Sequence, residues 1–591
     1  MQKKWRQWLK WGQKNWLTMA IWTSVLLVSS WICLTKPMFY THDYLHGVRI
    51  AQMAKGLLEG QFPVIWSQDF GFGYGMPMFE FYAPLPYFVG AIFYLISGDL
   101  LLSVKGLYIL LNVLTMWGMY TWARYFFDRP TSALAGGMLT LASYRAVDIF
   151  VRGAMSEAWA IMALPWLLAG ITGILRGEKK GMVMAFWGGI TLCLSHNITT
   201  MLAAPLLLLY ILLYIIVYGK EELKQKKFAI KVVKMLVGTG LAVVGASCFY
   251  LVPAFFEKGE TQIEQWILSD YFDYHNHFLY IRQFFRDQFD YGGSGWGDQD
   301  GMSFFLGWAQ WLGWLVAIVA GGCYGYRECK KKKVKWLHLD KNCTNVYFFA
   351  GVSVIILIAL FMTLLKSTWC WEMLAGLLAF SQFPWRFLGV AIVFLALVAV
   401  AGTLWLPKKW QLSAVTALWL LLLMTSAHYF QGDSYLDEPA FYRDDNGYIR
   451  TESSYTLVDY LPKTAANFNE QGNNWEAVDE SIKIVNRQQQ PNVMVERMHE
   501  KLYGIESEQA GDVELAIHNY PGWSAEINGQ KVPIDTSERG NITVHVPRGQ
   551  INLGLKLKQT PLRFWSNWVS TLTWAIISYL MVFNQWQKKK H

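Results

Sequence analysis

The chain has 591 residues, of which 53% are hydrophobic, 16% aromatic and only 16% charged, with a formal net charge of +9. Soluble proteins carry about 25% charged residues, so this composition excludes an ordinary soluble enzyme. The mean hydropathy of +0.21 is nevertheless too low for a chain made only of membrane helices. A large part of the sequence is therefore expected to lie outside lipid.

Apolar runs recur along the chain, many of them near the ~20 residues that a helix needs to cross a bilayer. We predict twelve spans, near residues 17–34, 104–124, 131–147, 158–175, 182–195, 198–218, 235–255, 303–325, 346–365, 386–406, 412–428 and 563–583. Basic runs between these spans then share one side with the lysine-rich start of the chain, at 175–181, 219–227, 326–335, 407–409 and 587–591. The positive-inside rule places that side, and both ends of the chain, in the cytoplasm.

One further apolar stretch, residues 85–96, is not counted as a span. It is short, begins among prolines and ends at Gly98-Asp99. Counting it would move every later basic run to the outside, against the positive-inside rule. We therefore predict a re-entrant or interfacial helix here.

This topology exports three loops, 37–103, 148–157 and 256–302, and the long segment 429–561. Apolar and polar residues alternate at 513–517, 542–546 and 551–557, and Asn528-Gly529 is a strong hairpin turn. The predicted fold is a polytopic α-helical membrane protein with an extracellular, mainly β, sandwich-like domain. Its predicted divisions are a membrane module (1–428), the β domain (429–561) and a last helix with a basic tail (562–591).

Charged and histidine side chains gather where the exported loops meet the spans. They are Asp43, His46 and Arg49 in the first loop, Asp148, Arg152 and Glu157 in the second, His196 between two spans, and Arg386 at the start of another. Charged groups at such depths are costly unless they are hydrated, paired or functional. Two simpler interpretations stay open: Asp43 caps an amphipathic helix lying along the membrane, and Arg386 reaches lipid headgroups.

The loop 256–302 adds carboxylates and histidines, including the run DYHNH at 273–277. Such side chains are ligands for divalent cations, so a bound divalent cation is one alternative for the site. No nucleotide-binding or hydrolase motif occurs in a supporting context. The positive charge is explained by topology, and no nucleic-acid partner is expected.

Several stretches together resemble one bacterial family. They are HDYLHGVRIAQMAKGLLEGQFP (42–63), YRAVDIFVRGAMSEAWA (144–160), SHNITT (195–200), FYLVPAFFEKG (249–259), FSQFPWRFLG (380–389) and NYPGWSAEINGQ (519–530). The chain resembles the YfhO-like membrane proteins, which include those called 6-pyruvoyl-tetrahydropterin synthase-related, and more distantly the GT-C glycosyltransferase superfamily. Pterin chemistry itself is not implied, because it needs a zinc–histidine cluster in a soluble fold.

The resemblance implies a transferase that moves a sugar from a polyprenyl-phosphate donor to a cell-surface acceptor, which is a teichoic acid, polysaccharide, lipid or protein. Asp43 takes the role of the first-loop acid, and Asp148 and Glu157 are counterparts of second-loop acids. Asp43 is then the first candidate for general base and His46 the second, with inversion at the anomeric carbon. The donor phosphate and sugar would be bound by the remaining candidates: Arg49, Glu80, Arg152, His196 and Arg386.

Two other classes of function are compatible with the sequence. One is a lipid or polysaccharide transporter or flippase, and the other is a non-catalytic scaffold of the cell envelope. Transporters place polar residues at mid-membrane, whereas most of the charges here lie at the ends of spans on one side. This placement favours chemistry at the outer surface.

Overall fold

The computed structural model describes residues 2–219, 225–267, 270–331, 341–436, 446–465 and 477–590. Parts of two predicted cytoplasmic runs, at 220–224 and 332–340, lie outside the described residues, as do 437–445 and 466–476 of the predicted exported domain. The chain divides into two units. The first unit comprises 1–43, 107–243 and 270–437, and the second comprises 44–106, 244–269 and 438–591.

Helices account for most of the described chain. In chain order they are α1 (Gln2–Thr35), α2 (His46–Leu58), α3 (Met78–Phe81), α4 (Leu85–Ser97), α5 (Leu100–Ala123), α6 (Arg129–Thr140), α7 (Ser143–Ala146), α8 (Met155–Leu175), α9 (Lys179–Ser195), α10 (Asn197–Tyr218), α11 (Lys226–Phe256), α12 (Ile263–Ile267), α13 (Trp308–Lys331), α14 (Lys341–Thr363), α15 (Thr368–Met373), α16 (Ala375–Leu378), α17 (Phe387–Val398), α18 (Lys408–Ser426), α19 (Asn446–Arg450), α20 (Glu452–Tyr455) and α21 (Pro561–Lys590).

Eight helical segments of the described chain are long and apolar enough to cross a membrane, and a ninth is obtained if α6 and the bent segment Ser143–Val151 form one span. The polytopic helical class is thereby confirmed. The predicted spans at 182–195, 303–325 and 563–583 are helical, as α9, α13 and α21. Their crossing of the membrane stays a prediction. Helix α4 is apolar but has only 13 residues, in agreement with its exclusion from the spans.

Small residues allow the helices of the first unit to approach closely. A Cβ atom on Gly170 of α8 would overlap the backbone of Ala185 on α9, and one on Gly188 of α9 would overlap the backbone of Leu167 on α8. Close backbone approaches at glycines are typical of helix pairs in membranes. All residues of α17 are buried. The ends of these tightly packed helices are therefore firm supports for the side chains that lie there.

The β-strands of the described residues all lie in the second unit, in two antiparallel sheets. The strands are β1 (Asn492–Arg497), β2 (Glu500–Ser507), β3 (Gly511–His518), β4 (Trp523–Ile527), β5 (Gln530–Val532), β6 (Asp535–Thr536), β7 (Asn541–Val546) and β8 (Gly549–Leu557). The sheet orders are β1-β2-β8-β4-β5 and β3-β7-β6. Asn528 and Gly529 form the β4–β5 turn with positive φ angles of 49° and 84°, which confirms the predicted hairpin.

The alternating residues predicted to face inward form a buried core, with Leu515, Val544 and Leu553 fully enclosed. Trp66 and Phe81, from the segment after the first span, belong to the same core. The aromatic residues of that segment are thus partly structural, because they complete the core of the β-strand region. The domain boundaries at 429 and 561 stay a prediction.

Helix α2 differs from the expected amphipathic helix along the membrane. It begins at His46 and its N-cap residue is Leu45, whose side chain makes no capping bond. Asp43 is therefore not the N-cap residue, and a capping role for its side chain stays a prediction. Polar Arg49 and Gln52 are as buried as apolar Val48. Arg49 and Gln52 bond to Tyr87 and Asp69 of the same unit. A hydropathy pattern does not distinguish such bonds from contact with water.

Candidate functional site

The second predicted loop forms a short break between two helices of the first unit. Residues Val147–Val151 adopt a π-helical turn, after which Gly153 has a positive φ of 64°. Single π-helical turns occur often at functional sites. This turn leaves Asp148 and Arg152 side by side, and α8 then begins at Met155 and presents Glu157 in its first turn.

Asp148, Arg152, Glu157 and Arg386 form what we call the arginine–carboxylate cluster. Arg152 Nη1 donates to Asp148 Oδ1, and its Nη2 lies 2.9 Å from Glu157 Oε2. Tyr144 donates its hydroxyl to Glu157 Oε1 at 2.9 Å. Asp148 and Glu157 have side-chain exposures of 0% and 2%. The cluster therefore holds two carboxylates away from water, and one arginine bridges them.

Arg386 joins this cluster from the start of α17. Its Nε lies 3.5 Å from Glu157 Oε2, and its Nη1 donates to the carbonyl of Ser381 at 2.8 Å. The Arg386 side chain is only 10% exposed. The interpretation in which Arg386 simply reaches lipid headgroups is wrong, because its charged end is turned toward Glu157.

Aromatic rings hold both guanidinium groups. Arg152 lies over the ring of Trp385 at 4.5 Å, and Arg386 lies over the ring of Phe383 at 4.9 Å. Stacking of this kind fixes the plane of a guanidinium and favours its charge. The two arginines are thereby oriented before any ligand arrives.

A third arginine, Arg145, adds to the positive charge around this cluster. It is fully buried, donates to the carbonyl of Thr140 at 2.8 Å and to Asn112 Oδ1 at 3.1 Å, and is attracted by Asp148. Buried Arg145 and the nearly buried Arg152 and Arg386 thus accompany two buried carboxylates. Within the described chain, Asp148 Oδ2 and the Nε atoms of Arg145 and Arg386 have no hydrogen-bond partner. The group has a formal excess of one positive charge and unused hydrogen-bonding atoms.

Asp43 is fixed to the second loop by its backbone. The Asp43 amide donates to the carbonyl of Arg152 at 2.9 Å, and the amide of His42 donates to that of Val151 at 2.9 Å. A Cβ on Gly153 would overlap the carbonyl oxygen of Asp43 and the hydroxyl of Thr41. The structure thus brings the first-loop acid to the same helix break as Asp148 and Arg152, and the Asp43 side chain is half-buried.

His196 has a structural role that the sequence did not predict. Its Nδ1 accepts the amide of Thr199 at 3.2 Å and lies 2.7 Å from the Thr199 hydroxyl, so it caps the N-terminus of α10. His196 is also electrostatically coupled to Glu157.

His46 and Arg49 form a separate group in the second unit. His46 Nδ1 lies 3.3 Å from the Tyr87 hydroxyl, and Arg49 Nη1 donates to the same hydroxyl at 3.4 Å. Arg49 also lies over the ring of Tyr82 at 4.4 Å. Asp459 is attracted by Arg49, and burial raises the pKa of Asp459 to about 7 against this attraction. Nothing in the sequence pattern pointed to Asp459.

Glu80 has partners other than Arg49. Arg563 Nε lies 2.7 Å from Glu257 Oε2 and 3.4 Å from Glu80 Oε1. Burial and the neighbouring Glu257 raise the pKa of Glu80 well above its usual range, although Arg563 opposes the shift. The pKa of Glu257 is lowered despite its burial, because Glu80 and Arg563 stabilise its ionised form. Burial and Glu257 thus favour the protonated form of Glu80, whereas Arg563 favours its ionised form.

Asp69 forms a fully satisfied ion pair, which we call the Asp69 anchor. Its Oδ2 accepts from Lys55 at 2.7 Å and Gln52 at 3.1 Å, and its Oδ1 accepts from Arg450 Nη2 at 2.8 Å. Arg450 Nη1 also donates to the carbonyl of Val478 at 3.2 Å. Burial opposes ionisation, but Lys55 and Arg450 outweigh it and lower the Asp69 pKa to about 2.

The histidines of the third loop bind protein groups. His277 lies 2.8 Å from the Ser294 hydroxyl through Nδ1, and its Nε2 contacts the carbonyl of Tyr271. His275 pairs with Asp273 at 2.7 Å. Across the ranges that the structure describes, no three His, Cys, Asp or Glu side chains are placed to hold a metal ion.

Sequence reasoning identified the charged members of the arginine–carboxylate cluster but missed their supports. Tyr144, Arg145 and Gly153 lie within the stretch 144–160, and Trp385 lies beside Arg386. Their position next to candidate residues was the available signal. Their roles depend on distances across helices, which a single sequence does not contain.

Comparison with known proteins finds one matching family, described as 6-pyruvoyl-tetrahydropterin synthase related domain; membrane protein, over residues 79–432. An uncharacterised protein from Lactococcus lactis subsp. cremoris (strain MG1363) is 24% identical over 216 residues, 35% of this chain and 34% of that protein. The arabinofuranosyltransferase AftD from mycobacteria, solved by single-particle cryo-EM, is similar with a TM-score of 0.43 and 13% identity, covering 77% of this chain and 29% of that chain. The chain thus spans about a third of the length of each.

Proposed function

The chain belongs to the 6-pyruvoyl-tetrahydropterin synthase-related family of membrane proteins, and we propose that it is a membrane glycosyltransferase. It moves a sugar from a polyprenyl-phosphate donor to a cell-surface acceptor, on the extracellular side of the membrane, with inversion. The acceptor is a teichoic acid, a polysaccharide, a lipid or a protein. Both ends of the chain face the cytoplasm, and residues 429–561 are extracellular.

One observation carries this proposal: one buried and two nearly buried arginines accompany only two buried carboxylates at a helix break whose backbone bonds to that of Asp43. An uncompensated buried charge is costly, so an anionic ligand would lower the energy of the group. A phosphate on a lipid chain fits, because it arrives through the bilayer and guanidinium groups bind phosphate in a bidentate manner. Arg152 and Arg386 are the cations we assign to it, since aromatic rings already orient them.

The chemistry follows from the leaving group. The bond between the anomeric carbon and the phosphate oxygen breaks, and the charge on the departing lipid phosphate is stabilised by the arginines without protonation. An acceptor hydroxyl attacks the opposite face of the sugar and transfers its proton to the Asp43 carboxylate. A single displacement of this kind inverts the anomeric configuration. Asp148 and Glu157 hold Arg152 and Arg386 in place during the reaction.

The remaining predicted residues have secondary roles in this proposal. His46 and Arg49 share Tyr87 as a partner, and their participation in binding donor or acceptor stays a prediction. His196, at the start of α10, interacts electrostatically with Glu157. Glu80 is assigned to the stability of the second unit because its partners are Glu257 and Arg563.

The test is mass spectrometry of cell-wall and membrane glycans from cells with the gene deleted and then restored. We expect deletion to remove one sugar modification, wild-type protein to restore it, and Asp43→Asn to leave it absent while protein levels stay normal. The matched control is Asp99→Asn, since Asp99 is an exposed helix-start residue of α5. Unchanged glycans in the deletion strain would refute the transferase. Normal glycans with Asp43→Asn would refute the assignment of the base.

A further inference from the structure

A cleft of about 1000 Å³ opens on the five-stranded sheet of the second unit. It is lined by residues of β1, β2 and β8 and by the segments that adjoin them, 487–491 and 508–511. None of its residues takes part in the clusters described above. Its volume is in the range of protein sites that enclose a ligand.

The floor of this cleft is built from paired positions on three neighbouring strands. Asn492 of β1 is opposite Gly504 of β2, which is opposite Asn552 of β8. Cross-strand partners project to the same face of a sheet, so the two asparagines stand on either side of a position without a side chain. In the next outward row, Glu506 is opposite Gln550. The result is a slot with polar side chains along both walls.

Gly504 leaves space above the sheet, although its backbone conformation does not require a glycine. It is not among the glycines with positive φ, so other residues could adopt its conformation. Glycine inside a strand often marks a place where a ligand approaches the backbone closely. A Cβ here would come within 2.9 Å of the Cε end of the flexible Met494 side chain and would make ordinary contacts with Asn492, at 3.6 and 3.7 Å. Met494 is 48% exposed and supplies an apolar surface at the floor of the slot.

The amide side chains of the walls are free to bind. Within the described chain, those of Gln489, Asn492, Gln509, Gln550 and Asn552 make no hydrogen bond. Each offers donors and an acceptor in one plane, a combination that matches neighbouring hydroxyl groups. In contrast, the amide of Gln490 is fully used in bonds to the backbone at 483–487, which shapes one wall.

The charge of the cleft excludes strongly anionic ligands. Its charged side chains are Arg487, Glu506 and Glu508, and Arg487 is bound to the Ser507 hydroxyl at 3.1 Å. The formal sum is one negative charge, which repels phosphate- or carboxylate-rich polymers. An uncharged sugar chain has hydroxyl groups that can bond to the amides and C–H groups that can pack against Met494.

We propose that this cleft binds an uncharged glycan chain, with hydroxyls on the amides of Asn492, Gln550 and Asn552 and a sugar ring over Gly504. The identification of this chain as the acceptor rests on the proposed transferase function. Binding itself is measured without transfer, so the two proposals can fail separately.

The experiment uses the full chain in lipid nanodiscs, because sugar-headed detergents would compete. Saturation-transfer difference NMR is recorded with cellohexaose, chitohexaose and maltohexaose, and with hexagalacturonate as an anionic counterpart. We expect at least one uncharged hexasaccharide to bind and hexagalacturonate not to bind. Failure of all three uncharged probes, or preferential binding of the anionic one, would overturn the proposal.

A matched pair of glycines locates the site. Gly504→Leu is expected to weaken binding about 10-fold or more by filling the slot. Gly554→Leu, on the same face of β8 but outside the cleft, should change nothing, since its Cβ would have only ordinary contacts at 3.8 Å. Equal losses in both variants would contradict the location.

A second variant tests the same site in case Gly504→Leu does not fold. The double change Asn492→Ala and Asn552→Ala removes both amides from exposed strand positions. We expect it to weaken binding with an unchanged melting temperature, and full binding would count against the proposed contacts.

Discussion

The Asp69 anchor and the arginine–carboxylate cluster contain the same chemical groups and differ in how completely they are satisfied. Both oxygens of Asp69 accept hydrogen bonds from cationic or amide donors, and its side chain is fully buried. Asp148 is equally buried, yet its Oδ2 has no partner among the described residues. A saturated ion pair stabilises a fold, whereas one with unused atoms and excess positive charge can accept a ligand. This difference separates the structural acid from the candidate functional acids, and substitutions at four positions, each with a control, test it.

The largest effect is expected at Arg152. Arg152→Met leaves Asp148 and Glu157 buried without their shared cation, which costs about 3–5 kcal/mol of stability and abolishes transfer. Arg152→Lys keeps the charge but loses the two-pronged contact, so we expect a folded protein whose transfer falls about 100-fold. Thermal unfolding and glycan mass spectrometry separate the two effects. Wild-type transfer by Arg152→Lys would contradict a role in the reaction.

At the Asp69 anchor we expect a comparable loss of stability with no loss of sugar transfer. Asp69→Asn removes the ionised partner of Lys55 and Arg450, at a cost of about 3 kcal/mol. Because the Asp69 pKa is lowered to about 2, its contribution is present above its ordinary pKa near 4 and is lost as the pH falls toward 2. The stability difference between variant and wild type should therefore shrink in acid. Transfer per folded molecule should stay normal, and a lower value would show that Asp69 is not purely structural.

A smaller effect is expected at Gly153, which has a φ of 64°. Gly153→Ala combines the strain of a left-handed conformation, about 1–2 kcal/mol, with an overlap against Asp43 and Thr41. Gly98→Ala is the control, because Gly98 has a φ of 70° and nothing within 4 Å of an added Cβ. Both variants should melt earlier, but only Gly153→Ala should lose transfer. Equal transfer in the two would mean that the position of Asp43 is unimportant.

The smallest effect is expected at Glu80. Its raised pKa means that its contribution to stability is present below its ordinary pKa and is lost as the pH rises through the raised value. Glu80→Gln imitates the protonated form, so its melting temperature should match the wild type in acid and exceed it by about 2 °C in alkaline solution. Glu257→Gln should destabilise instead, because Arg563 loses its partner at 2.7 Å. A pH-independent difference for Glu80→Gln would contradict the raised pKa of Glu80.

Predictability varied with the range of the interactions involved. The α4 exclusion, the Asn528–Gly529 turn and the alternating strands were predicted correctly, since each depends on residues close together in sequence. The backbone bond from Asp43 to the Arg152 carbonyl could not be predicted, because it joins residues far apart in the sequence.

The sequence by itself determined the membrane class, the β-strand region and the set of charged candidates, because hydrophobic periodicity and basic runs are local signals of lipid and topology. Only the tertiary structure decided which candidates belong together. It joined Arg386 to Glu157 and assigned Glu80 to Arg563. The reason is physical: the energy of a buried charge depends on partners several helices away, and these partners are chosen by packing, not by spacing along the chain.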